Sequence, residues 1–298
     1  EKKPKKIENL MGILSDEIDR SIQINAFGPE INSNEGKEYI PVISADNKTI
    51  YFCGRYRPDN LGGEDIYVSS LKNKSKAHIL DGLSTSHSNE APLNLSVDGT
   101  TMIIFKDGNL NISQKTITGW SQPSPLSSNV NSAIWQSDVT LSSDGKALLF
   151  ASIRNSNFDY YINKDPQGYH SENEYASDIY VSLKDEYGEW GPPVNLGPNI
   201  NTMYGDRSPF LHPDMKTLYF SSSGHGGLGG LDVFKSTRLS DTCWTCWSEP
   251  INLGKEINTP KREWCYSIST DGQYAYFSKQ NNSNGGEDLF WLNLPKHL

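Results

Sequence analysis

One turn-and-strand unit recurs five times along this chain, and that recurrence restricts the fold more than any other feature. Each copy has a polar turn centred on Asp, then a short apolar strand. The copies read SADNKTIYF (44–52), SVDGTTMIIF (96–105), SSDGKALLF (142–150), HPDMKTLYF (212–220) and STDGQYAYF (269–277). The turn residues are Asp46, Asp98, Asp144, Asp214 and Asp271, separated by 52, 46, 70 and 57 positions.

Two more elements keep step with the first. A second strand follows each copy: GGEDIYVS (62–69), GNLNIS (108–113), ASDIYVS (176–182), GGLDVFKS (229–236) and GGEDLFWL (285–292). Between copies stand WSQPSPLSSNVNS (120–132), WGPPVNLGPNINT (190–202) and WSEPINLGKEINT (247–259), with shortened forms at 27–33 and 83–89. Each unit thus supplies about four short strands, with period-two alternation in KTIYF and DIYVS and hairpin chemistry in the Asp-Gly turns. Four strands repeated at this period predict a β-propeller. Pro123, Pro193 and Pro250 cannot donate to a ladder and belong at each blade's outer edge. Trp120, Trp190 and Trp247 read as wedges between blades.

The expected fold is therefore all-β: a five-bladed propeller of four-stranded antiparallel blades, with a short N-terminal helix. Residues 1–19 form a linker and the helix, whose spacing runs through Ile7, Leu10, Met11, Leu14 and Ile18. Residues 20–298 form the propeller, with blades about 27–78, 79–119, 120–189, 190–246 and 247–294. The segment 20–27 has no partner in its own unit and closes the ring beside 288–294. Six blades is the alternative, because the N-terminal segment can also start an extra blade.

These strings resemble the WD40-like repeats of TolB-type propellers over roughly residues 21–294. The Trp-Ser-x-Pro and Leu-Gly-x-x-Ile-Asn-Thr wording is most similar to periplasmic OmpA-family envelope proteins of Bacteroidetes, such as the PorE component of the type IX secretion system. The resemblance implies a periplasmic protein associated with the outer membrane. Its implied partners are envelope or secretion-complex proteins. Peptidoglycan would be reached only through domains outside these residues. The repeats depart from the pattern in three places: unit two shortens a loop to KDG (106–108), unit three carries a long insertion, and unit four has Met215 where a turn Gly stands.

Charge narrows the partners. The net charge is -9 and the pI about 5.2, so phosphate backbones repel the chain and nucleic acid is not an expected ligand. The basic run Lys2, Lys3, Lys5 and Lys6 reads as a solvated linker. No stretch approaches the ~20 apolar residues of a membrane span. The chain starts with Glu1 and reads as a mature or excised fragment.

Catalytic signatures are missing from the sequence. There is no GxSxG, no HExxH and no Walker loop. GHGGLG (224–229) matches GxGxxG, but a strand follows it where a dinucleotide site needs a helix. Cys243 and Cys246 form a CxxC without a second ligand pair, which favours a loop feature over zinc and leaves bridging open. The repeated Asp65, Asp178, Asp232 and Asp288 suggest turn-locking hydrogen bonds rather than calcium. The expectation is no enzyme, no catalytic residues, no metal and no cofactor.

Strand alternation puts the Asp turns on one face and the irregular loops on the other. Those loops are rich in Trp, Tyr and Arg, the residues that dominate protein interfaces. The expected partner-binding residues are Tyr39, Trp135, Tyr161, Tyr169, Tyr204, Arg207 and Trp264. A second possibility for Trp135 and Trp264 is that they plug the central channel. The expected function is a non-catalytic interaction scaffold that binds a protein or peptide on the loop-rich face. The alternatives are a glycan or peptidoglycan-fragment binder and a hydrolase of unrecognised type.

Overall fold

The computed structural model describes residues 10–17, 19–73, 75–154, 177–281 and 286–295. Five antiparallel sheets stand around one axis, and their innermost strands line a shared cavity. The first blade runs outward through Lys37–Ile43, Thr49–Arg55, Glu64–Ser70 and His78–Ile79. The second uses Glu90–Leu95, Thr101–Lys106, Asn109–Thr116 and Ser124–Pro125, with Gly119–Trp120 also pairing to its third strand. The third uses Trp135–Leu141, Ala147–Ile153, Asp178–Leu183 and Val194–Asn195. The fourth uses Asp206–Leu211, Thr217–Ser222, Asp232–Thr237 and Ile251–Asn252.

The fifth blade has Glu263–Ile268, Tyr274–Gln280 and Glu287–Asn293, and takes its outer strand from the other end of the chain. Ile24–Ala26 pairs antiparallel with it, Ile24 opposite Leu292 and Ala26 opposite Phe290. The N-terminal segment therefore completes a fifth blade rather than starting a sixth. A short helix over residues 10–15 precedes it. Lys255 Nζ donates to Leu14 O, and Asp19 N donates to Glu256, so this segment rests on the fourth blade's last connection.

Strand alternation is visible, but both faces of most strands are buried. Thr49–Arg55 reads half-buried only at its ends. Every blade is sandwiched between two others, so neither side of the sheet meets water, and the burial pattern becomes continuous. The outer strands of the second, third and fourth blades are two residues long, directly after Pro123, Pro193 and Pro250.

Each Asp turn is held by its own side chains. Asp144 Oδ1 accepts from Ser142 Oγ at 2.6 Å and Lys146 N at 3.0 Å, and Ser142 Oγ accepts from Ala147 N at 2.8 Å. The residue after the Asp is left-handed in every copy. Gly99, Gly145 and Gly272 have φ of 70°, 69° and 69°, and Asn47 and Met215 have 54° and 62°. Trp247 and Trp190 are buried. Their carbonyls accept Asn199 Nδ2 at 2.6 Å and Asn129 Nδ2 at 2.8 Å from the preceding blade's connection, so the wedges also carry hydrogen bonds between blades.

Candidate functional site: an axial cavity and its plug

Four of the five inner strands contain a buried left-handed residue at one register position. These are Ile40, Asp138, Ser208 and Cys265, with φ between 49° and 57°. Each lies where the pairing to the second strand shifts register. A bulge re-aims the side chains beyond it, and here the bulges divide the axis into two halves.

On the Asp-turn side the axis is open. A cavity of about 640 Å³ runs from the bulges to the turns and is bounded by all five inner strands. Its wall includes Val42, Leu95, Val139, Leu141, Phe210 and Ile268, and its floor includes Asp138, Ser208 and Cys265. A concave, mostly apolar volume with a few convergent polar groups is the usual form of a ligand site.

The floor is a fixed polar network. Arg207 Nε and Nη2 meet Asp138 Oδ2 and Oδ1 at 2.7 and 3.1 Å. Ser208 donates to Asp138 Oδ2 through both its backbone N and its Oγ, each at 2.9 Å. Ser208 Oγ lies 3.5 Å from Cys265 Sγ. Fork-shaped pairing satisfies both carboxylate oxygens of a buried ion pair, which isolated burial would not tolerate.

On the other side of this floor the axis is filled. The Arg207 guanidinium lies 4.7 Å from the Trp264 ring and 5.5 Å from the Trp135 ring. Trp264 stacks on Tyr39 at 5.5 Å, and Tyr39 Oη donates to Glu64 Oε1 at 2.6 Å. A guanidinium between aromatic faces is held by their quadrupoles. Tyr39, Trp135, Arg207 and Trp264 are thus brought together, at no more than 3% exposure each. In this conformation they close the axis and leave no side-chain surface for a partner. Tyr204 stands apart, 45% exposed on the loop-rich face. Tyr161 and Tyr169 lie outside the described residues.

Two repeated devices were not read from the sequence. The first is a ring of buried acids at the start of the inner strands: Glu38, Glu90, Asp206 and Glu263, with Gln136 in the third blade. Each accepts from the connection before it: Thr259 N donates to Glu263 at 2.9 Å and Thr85 N donates to Glu90 at 3.2 Å. Burial pushes Glu263 up to about 7 and raises Asp206 well above the usual carboxylate range. An acid or amide two residues before the bulge in EYIP, EAPL, QSDV, DRSP and EWCY was the available signal.

The second is the Asn of the INT string. Asn201 accepts Ile179 N at 2.7 Å and donates to Ile179 O at 2.8 Å, imitating a neighbouring strand. Asn258 does the same to Val233, Asn131 to Leu110 and Asn32 to Leu289. Among the repeated Asp residues, Asp65 accepts Leu61 N and Gly62 N, and Asp232 accepts Leu228 N and Gly229 N. These are turn locks. Cys243 and Cys246 are bridged, with Cα atoms 5.5 Å apart.

No family model matches the chain, and no curated protein matches it. Solved structures do. TolB from Acinetobacter baumannii matches at TM-score 0.47 and 16% identity, over 86% of this chain and 54% of its own. The chain thus spans about half the length of that relative. A protein from Agrobacterium tumefaciens assigned to TolB matches at 0.50 and 15%, over 92% and 98%. An α-L-arabinofuranosidase from Lactobacillus brevis matches at 0.53 and 13%, over 91% and 94%. A GH43 protein of a Bacteroides ovatus xyloglucan locus and a xylan β-1,4-xylosidase also match. At these identities the likeness shows the propeller fold alone. It corrects the expectation that the chain is no enzyme: that expectation leaned on absent motifs from other folds, and this fold also houses glycoside hydrolases. Among the described residues, no helix is long and apolar enough to cross a membrane.

Proposed function

We propose that this chain is a binding scaffold of the bacterial cell envelope that receives a segment of a protein partner in its axial cavity. The cavity carries this reading: it is open on the Asp-turn face, apolar on its walls and polar on its floor. The loop-rich end of the axis, where the sequence pointed, is occupied by the chain's own side chains.

The periplasmic, outer-membrane-associated setting and a secretion-type complex are proposed from the Trp-Ser-x-Pro and Leu-Gly-x-x-Ile-Asn-Thr wording. The Cys243–Cys246 bridge supports an oxidising compartment. Partners are accordingly envelope or secretion-complex proteins.

Site-specific photocrosslinking tests the reading. A benzophenone side chain replaces Leu95 at the cavity wall in one variant and Tyr204 on the loop-rich face in another. The expected result is a discrete adduct with an envelope-complex component from the Leu95 position. Adducts from Tyr204 alone would move the binding surface to the other face and overturn the cavity reading. Chemistry in the cavity is open to direct assay. Asp98 and Asp138 are the carboxylates among its lining residues, and glycoside cleavage normally draws on two. Turnover of aryl arabinosides or xylosides that Asp138→Asn abolishes would make the chain a hydrolase.

A further inference from the structure

We propose that the segment received by the axial cavity carries a basic residue beside its apolar ones, and that Asp98 at the cavity lip holds it. This deepens the cavity reading and rests on it.

The lip is uneven. Asn47 Nδ2 of the first blade donates to Asp271 Oδ2 of the fifth at 2.7 Å, tying those turns together. Ser143 Oγ of the third donates to Pro213 O of the fourth at 3.2 Å. The second blade's turn, residues 96–101, bonds within itself: Ser96 Oγ to Asp98, Thr100 N to Asp98, Thr101 N to Ser96. It is the one turn whose Asp is among the cavity-lining residues, and Val97 beside it is 75% exposed.

Its charge is also uncompensated. Two positions after the turn Asp, the first, third and fourth blades have Lys48, Lys146 and Lys216. Lys48 Nζ meets Asp46 at 2.9 Å. The second blade has Thr100 there, and Asp98 has no cationic partner among the described residues. The hydroxyl and amide bonds lower its pKa, so it stays ionised. An apolar wall, an exposed valine and an ionised carboxylate therefore adjoin at one lip. The inner strands end all five sheets, so one edge of each faces the axis. Ile40 N, Ser208 N and Leu211 N there are already bonded to side chains, and edge groups not so used can bond an extended backbone. The complementary ligand is an extended segment with apolar side chains pointing inward and an ammonium or guanidinium at the mouth.

Calorimetry tests this with three synthetic peptides that share one apolar stretch, Leu-Ile-Leu-Val, preceded by two Lys, two Ser or two Glu. At about 0.01 M salt, where screening reaches roughly 30 Å, the Lys peptide should bind about threefold tighter than the Ser peptide, as an exposed ion pair allows. The Glu peptide should bind weakest. Asp98→Asn should remove the ranking without removing binding, and about 1 M salt should do the same. Equal affinities, or a ranking that survives Asp98→Asn, would overturn the lip assignment and leave the cavity reading intact. No binding by any peptide would overturn both. So would unchanged binding to Leu95→Trp, a variant with the cavity narrowed and a normal melting transition, because the peptide would then sit elsewhere.

Discussion

The residues that repeat in every blade do structural work through hydrogen bonds. Asn258 is fully buried, and its amide accepts Val233 N, which no outer strand reaches, and donates to Val233 O beside Leu253 N. Asn258→Ala leaves Val233 N without that partner and should cost roughly 1–3 kcal/mol, read as a lower midpoint in urea unfolding. The buried acids set the pH dependence. Burial raises Asp232 to about 6 and Glu263 to about 7, and raises Glu38, Asp65 and Asp288 as well. A carboxyl with a raised folded-state pKa contributes stability that is complete below its unfolded pKa and is lost as pH rises through the folded one. The exposed turn acids are lowered, Asp46 to about 2, and act only in more acid solution. Thermal stability should therefore peak near pH 4–5, fall up to about pH 7 and level off, and Glu263→Gln should shrink that fall. A melting temperature that climbs from pH 5 to pH 7 would contradict it.

At the scale of elements, the hairpins were legible because their signal is local. Asp-Gly turns and period-two strands are written in contiguous residues. What surrounds them was less so: continuous burial comes from neighbouring blades, and the INT asparagines act on strands some 20 residues away, as Asn201 does on Ile179. The fourth turn shows the cost of departing from the pattern. Met215 holds φ of 62° where Gly145 holds 69°, and a side chain there is strained by roughly 1–2 kcal/mol. Met215→Gly should raise stability by about 1 kcal/mol, seen as a higher melting temperature with an unchanged circular dichroism spectrum.

For the whole molecule, the five repeats, the ring and its closing strand followed from counting units. The site did not. Tyr39, Arg207 and Trp264 each follow a ring acid and Trp135 precedes Gln136, all on loop-adjacent strand ends, which marks binding and plugging alike. Only their contacts separate the two: Trp135 and Trp264 lie against Arg207, which Asp138 holds, and Tyr39 stacks on Trp264. The cavity was hidden because its wall is built of ordinary repeat residues. Ring closure gives a prediction at this scale. Removing residues up to Ala26 exposes the edge of Glu287–Asn293 and takes away the packing of half-buried Ile22 and Ile24. The loss should be about 2–3 kcal/mol, with a tendency to associate through the free edge. Sedimentation of the truncated chain reads the association.

The closing pair also decides how this protein answers a pull. Ile24 lies opposite Leu292, and the two strands run antiparallel. The incoming and outgoing chain thus depart from the same end of one strand pair. Tension between them peels the pair open one bond after another instead of shearing every bond at once. The ring is a clasp: under load it unzips at the fifth blade while the other four, each formed from consecutive chain, stay whole.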